Sequence, residues 1–174
     1  SAAHTSLAQV VSSIQTAVGG FLETRFLMMS TLQSTNVSTL TNLSGMQLTV
    51  AAGELWKIEG FILVSTSATT VGLRAGLSVP PLTTPRFIKF IGGSASQSAT
   101  IAGGGGQLQV SGLSNNLSIT GIGPAGAAIP IKFDALFNVA SAGTVRLMAA
   151  GIASTTASPL HFMPGTYMMC YRLR

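Results

Sequence analysis

Charge is what this chain has least of. Only 7% of its 174 residues are Asp, Glu, Lys or Arg, against about 25% in an ordinary soluble domain. Combined with an apolar fraction of 47%, that poverty excludes a disordered chain, which needs high charge and low hydrophobicity. The net charge of +5 comes from basic residues scattered singly: Arg25, Lys57, Arg74, Arg86, Lys89, Lys132, Arg146, Arg172 and Arg174. Nucleic-acid binding would cluster such residues and interleave them with stacking aromatics, so no nucleic-acid partner is expected. Cys170 is the one cysteine, which excludes a disulfide or a Cys-based metal site within one chain and reads as a buried thiol in a strand. Long apolar runs are also missing. None approaches the roughly 20 residues of a membrane helix, and the amino terminus lacks a charged region followed by an apolar core. A soluble chain with no membrane partner and no export address is the expectation.

Catalysis is poorly provided for. Acid–base work needs titratable groups held together, and the chain offers Glu23, Glu54, Glu59, Asp134, His4, His161 and little else. His161 stands alone in SPLHFMPG, where a loop or interface role is commoner than catalysis, and no second histidine nearby suggests a metal. A paired-carboxylate site is conceivable only between Glu54 or Glu59 and Asp134. Glu59 and Asp134 read more simply as strand residues paired with Lys57 or Lys132 across a ladder. GGGG at 103–106 is followed by a strand pattern rather than by a helix with Lys-Ser/Thr, so it reads as loop and not as a phosphate cradle. One Trp and two Tyr are thin for a sugar-binding platform. The expectation is no enzyme, no cofactor and no metal site.

What the chain does have is periodicity, in a length suited to one domain with a sizeable core. Leu7, Val10, Val11, Ile14, Val18 and Phe21 fall at steps of three and four, one stripe of a helix that Thr5 or Ser6 could cap and Gly19-Gly20 could end. Such a stripe must be buried, either on its own domain or against a neighbouring subunit. From about Met46 the period becomes two. In LWKIEGFILV, Trp56, Ile58, Ile62 and Val64 share one face while Leu55, Lys57, Glu59 and Phe61 share the other, as in a strand with one buried face. Val71, Leu73, Ala75, Leu77 and Val79 form a second run stopped by Pro80-Pro81, which offers no amide to a ladder. RFIKFIGG and QLQVSGLSNNLSITGIG could each hold a short strand.

Toward the carboxyl end, Ile129, Ile131, Phe133, Ala135, Phe137 and Val139 alternate with polar or small residues. SAGT then turns into Val145, Leu147 and Ala149, and Pro164-Gly165 precedes TYMMCYRLR. Many short strands with Gly, Pro and Ser turns argue an all-β sandwich or barrel. Leu136, Met148 and Met168 fall on nominally outward faces, and subunit association is a natural way to bury them.

Four turn-and-strand blocks occur in order: AAGELW at 51–56, TSATTVGLR at 66–74, SAGTVRL at 141–147 and MPGTY at 163–167. In that order and spacing, residues 40–174 resemble the β-sandwich domain of tailed-bacteriophage virion proteins. The resemblance implies an all-β, jelly-roll-like antiparallel β-sandwich that assembles as a homotrimer on the particle. Members include capsid decoration (cement) proteins, head fibres and distal domains of tail fibres. GGGG and MPGTY depart from the family pattern, which more often shows AGS or AGT at the latter.

Residues 1–40 are therefore expected to form a helical arm and linker, and residues 41–174 the sandwich. Short length without a fibrous repeat favours capsid decoration, with the major capsid protein as partner and the capsid surface as location. A receptor- or glycan-binding fibre tip, using loops such as Gly103 to Asn116, is the alternative. The stripe Leu7, Val10, Val11, Ile14, Val18 and Phe21 is the candidate for capsid docking. Trp56, Phe61, Phe133, Phe137, Tyr167 and Tyr171 are the candidates for core or trimer packing.

Overall fold

The computed structural model of the chain describes residues 23–92, 107–108, 116–119, 125–152 and 154–174. They form strands only, in two antiparallel sheets: β1 (Glu23–Met28), β2 (Gln33–Thr35), β3 (Thr41–Val50), β4 (Leu55–Thr66), β5 (Gly72–Ser78), β6 (Leu82–Gly92), β7 (Gln107–Leu108), β8 (Asn116–Ile119), β9 (Ile129–Val139), β10 (Gly143–Ile152), β11 (Leu160–Phe162) and β12 (Tyr167–Arg172). The larger sheet runs β1-β12-β4-β9-β6-β7, with β11 on β4 and β2 on β11; the smaller runs β3-β10-β5-β8. The strands pair as nested partners: β1 with β12, β3 with β10, β4 with β9 and β5 with β8. β2 pairs β11 inside β1–β12 in the same larger sheet, and from β3–β10 inward through β4–β9, β5–β8 and β6–β7 the pairs alternate between the smaller and the larger sheet. One long hairpin rolled up in this way is a jelly roll, and β6 adds to it on the free side of β9.

Period two explains why these segments are strands and how they pack. Every second residue of β4 is buried, from Trp56 through Ile58, Ile62 and Val64 to Thr66. Its partner β9 buries Ile129, Ile131, Phe133, Ala135, Phe137 and Val139. Opposite them the smaller sheet turns in Leu43, Met46, Leu48 and Val50 from β3, Leu73, Ala75 and Leu77 from β5, and Val145, Leu147 and Ala149 from β10. Phe90 and Phe133 meet with ring centroids 5.8 Å apart, a favourable aromatic separation. Gly60, on the buried face of β4, is required by a close approach. A Cβ there would run into the Tyr167 carbonyl and the Phe133 ring.

Two findings alter the sequence reading. The segment expected to be linker contributes β1 and β2 to the larger sheet, so the described sandwich starts at Glu23 rather than residue 41. Met168, read as outward, is fully buried beside Cys170; the outward residues of β12 are Tyr167, Met169 and Tyr171. The stripe Leu7, Val10, Val11, Ile14, Val18 and Phe21, and with it the N-terminal helix, lies outside the described residues.

The short blocks of the sequence turn out to be fasteners. In AAGELW, Gly53 adopts φ +83°, a left-handed conformation that glycine takes without strain. Its amide donates to the Val139 carbonyl at 2.8 Å. In MPGTY, the Met163 amide donates to the Leu63 carbonyl at 2.8 Å and the Gly165 amide to the Met29 carbonyl at 3.0 Å. The buried Thr166 hydroxyl accepts from the Leu63 amide at 3.0 Å. The interruption between β11 and β12 is thereby bonded to strands on both sides, as buried backbone requires.

Candidate association surface

The outward face of the larger sheet is built by the same alternation that fills the core. Register aligns three rows across β1, β12, β4 and β9: Met28, Tyr167, Phe61 and Lys132; Phe26, Met169, Glu59 and Asp134; Thr24, Tyr171, Lys57 and Leu136. Apolar residues crowd the first two strands, where the Tyr167 ring lies 5.8 Å from Phe26 and 5.6 Å from Phe61. Phe26 and Met28 are 56% and 53% exposed, and with Leu32 and Val37 they are the large hydrophobic side chains left exposed among the described residues. All four fall between positions 26 and 37, on or next to the β1–β2 edge.

On this face Lys57 and Glu59 pair with each other, while Asp134 Oδ1 is buried without a hydrogen-bond partner. Lys57 Nζ lies 3.1 Å from Glu59 Oε2, and the Tyr171 hydroxyl donates to Glu59 Oε1 at 3.3 Å. The Glu59 carboxylate holds the Lys57 ammonium above its ordinary pKa, against a smaller opposing effect of burial. Burial, then the charge of Glu59, pushes the Tyr171 phenol upward. The pairing of Glu59 with Lys57 runs along one strand, two residues apart, rather than across the ladder; directly across from Glu59 stands Asp134.

A second network sits at the end of the sheet where β4 meets β12. Glu54 Oε2 accepts from the Ala51 amide at 2.7 Å and from the Trp56 indole at 2.9 Å, and Oε1 accepts from Arg172 Nη1 at 2.8 Å. Burial alone would raise the Glu54 pKa, but those three donors outweigh it and hold the carboxyl below its ordinary value. Arg172 also reaches Glu23 at 3.5 Å, and Glu23 pairs with Arg25. Glu23, Arg25 and Leu27 line one wall of a cleft of about 270 Å³ whose other wall is Gln47, Leu48 and Thr49 of β3. Glu54 is satisfied by Arg172, Trp56 and the turn, while Arg172 Nε is buried without a hydrogen-bond partner.

The described residues hold no group of three or more His, Cys, Asp and Glu that could bind a metal. His161, expected in a loop or at an interface, lies on β11 with Nδ1 2.7 Å from Ser34 Oγ. Cys170 is fully buried, and burial pushes its thiol up to about 12, which keeps it from forming the reactive thiolate.

The six packing candidates separate cleanly. Trp56, Phe133 and Phe137 are core, between 0% and 1% exposed, while Phe61, Tyr167 and Tyr171 stand half-buried on the outward face. Leu136 and Met148 are half-buried and outward, on opposite sheets. Sequence reasoning missed Phe26 and Met28, although Thr24, Phe26 and Met28 alternate with Arg25 and Leu27 in ETRFLM. Glu54, weighed in the sequence as half of a carboxylate pair with Asp134, instead closes the Ala51–Glu54 turn. Of the loop proposed for ligand binding, 107–108 and 116 are strand, and 103–106 and 109–115 lie outside the described residues.

No protein-family model and no curated protein matches the sequence. Among solved structures the chain is similar to infectious bursal disease virus of the Gx strain, at 12% identity over 87% of this chain and 40% of that chain, with a TM-score of 0.26. The Gt strain gives 12% identity, 86% and 37% coverage and a TM-score of 0.23. The VP2 subviral particle of that virus gives 13%, 89% and 39%, and 0.21. The chain thus spans about two fifths of the length of the structures it matches. TM-scores of this size leave the likeness without weight as to function.

Proposed function

We propose that the protein is a structural component of a virus particle: a homotrimer that decorates the head of a tailed phage and stabilises the shell by bridging the major capsid protein. The observation that carries this reading is where the uncovered apolar side chains lie. Phe26, Met28, Leu32 and Val37 are exposed, and in sequence they follow the stripe Leu7 to Phe21, which lies outside the described residues. The described residues hold a buried thiol and no group of three metal-binding side chains, and a cement protein needs no reaction centre. Its work is the burial of apolar area, at about 25 cal/mol per Å² before association costs are subtracted. The ordered blocks AAGELW, SAGTVRL and MPGTY, and the nested strand pairing, support the same reading.

Particles of the phage that encodes the chain provide the test. Labelled antibody should decorate the capsid evenly. A chain lacking residues 1–22, which keeps β1 whole, should fold with the same cooperative melt yet coat particles at least tenfold more weakly. Protein confined to fibre tips would overturn the reading in favour of receptor or glycan binding, and undiminished coating by the truncated chain would overturn the docking role of the stripe.

A further inference from the structure

We infer that the outward face of the larger sheet is where copies of this chain meet one another; the inference rests on the homotrimer reading and names its interface. The occupant follows from charge and preorganisation. With a net charge of +5, copies of this protein repel each other over most of their surface, and an anionic partner would seek the basic parts. On the four strands that form this face, the outward charges are Lys57 and Lys132 against Glu59 and Asp134, a balance that neither repels a second copy nor recruits a polyanion. By contrast, β3, β5 and β10 of the smaller sheet carry Arg74 and Arg146 and no carboxylate.

With six residues each in β1 and β12, twelve in β4 and eleven in β9, this face measures roughly 550 Å² from strand rise and spacing. Its rings are held in place before any partner arrives, because Tyr167 packs on both Phe26 and Phe61, so little side-chain freedom is left to lose on association. Tyr, Phe and Met are the residue types enriched in such interfaces.

A closed trimer needs a head-to-tail contact in which two different halves of a surface meet. The face supplies them. Phe26, Met28, Tyr167 and Met169 make an apolar half on β1 and β12, and Lys57, Glu59, Lys132, Asp134 and Leu136 make a mixed half on β4 and β9. A three-fold axis beside the face sets the first half of one copy against the second half of the next.

Methionine oxidation of the unaltered full chain reads this directly, because Met28 and Met169 lie on the larger sheet's outward face and Met148 on the smaller sheet's. Dilution from the trimeric to the monomeric range should accelerate oxidation of Met28 and Met169 at least fivefold and leave Met148 unchanged. Phe61→Glu and Tyr167→Glu should each weaken self-association at least a hundredfold by sedimentation, with the circular dichroism of the folded chain retained. Gln47→Glu on the opposite sheet should leave it within twofold. A trimer in which Met148 is the protected methionine, or which survives both face substitutions while folded, overturns the inference and leaves the homotrimer standing. A chain that sediments as a monomer at every concentration overturns the homotrimer as well.

Discussion

Down β12 of the larger sheet the outward residues are Tyr167, Met169 and Tyr171; down β10 of the smaller they are Thr144, Arg146 and Met148. The neighbours sharpen the contrast. Beside β12 stand Phe26 and Phe61 with the Lys57–Glu59 pair, and beside β10 stand Gln47, Thr49, Ser78 and Arg74. Inward, both sheets are apolar in alternation, the larger carrying the Trp, Ile and Phe side chains and the smaller Leu, Val, Ala and Met. A core asks both sheets for apolar alternation, and what separates them most is what each shows to the outside. Hydrophobic, cross-braced and charge-balanced surface on one side, with polar and purely basic surface on the other, is the asymmetry on which the proposed self-association rests.

The inward likeness can be broken first, because it carries the largest expected effects. Phe133→Ala should cost about 3–5 kcal/mol and Leu147→Ala about 2–5 kcal/mol, read by urea unfolding; a near-neutral result on either sheet would show that the two do not share the core equally. Next comes the carboxylate clamp that the larger sheet has and the smaller lacks. Glu54→Gln should cost about 1–3 kcal/mol, the range for hydrogen bonds to a charged group. Because folding depresses the Glu54 pKa below 4.5, its contribution is complete above that value and is lost as pH falls through the lower folded-state value. The stability gap between wild type and Glu54→Gln should therefore close below about pH 4.5 and stay constant above pH 6. The smallest effect belongs to the outward charges. Lys57→Ala should change fold stability by no more than about 0.5 kcal/mol, since exposed ion pairs rarely exceed this, and Arg146→Ala on the other sheet by no more. A larger loss for Lys57→Ala would mean that the outward pair holds the sheet together rather than tuning what it meets.

Much of the fold was legible because period two is hard to disguise in a long strand. β4, β5 and β9 and their buried faces follow from LWKIEGFILV, VGLRAGLSV and IPIKFDALFNV. β12 was legible only to a point. Tyr167, Met169 and Tyr171 are as apolar as Met168 and Cys170, so alternation yields two sets without saying which turns in. The answer comes from the Phe26 and Phe61 rings of the flanking strands, which are distant in sequence. β2 and β11, of three residues each, are too short for any period to register. β1 was concealed by a helical spacing that runs on through Phe21 and Arg25. For the same reason the outward face was half legible. Phe61, Tyr167 and Tyr171 were named among mixed core and interface candidates, but their separation from Trp56, Phe133 and Phe137 needed the register.

Cys170 has a practical consequence. A thiol with no accessible surface and an ionisation pushed up to about 12 can meet an alkylating reagent only when β12 comes away from β1 and β4. Since β12 is the strand that joins those two, its release cuts β1 off from the rest of the larger sheet. The rate at which iodoacetamide consumes the thiol is thus an internal clock for opening at this edge, set by the opening equilibrium at low reagent and by the opening rate at high reagent. A cysteine engineered anywhere on the outside would then be the sole residue to react on the fast timescale, so the molecule arrives ready for single-position labelling without first being made cysteine-free.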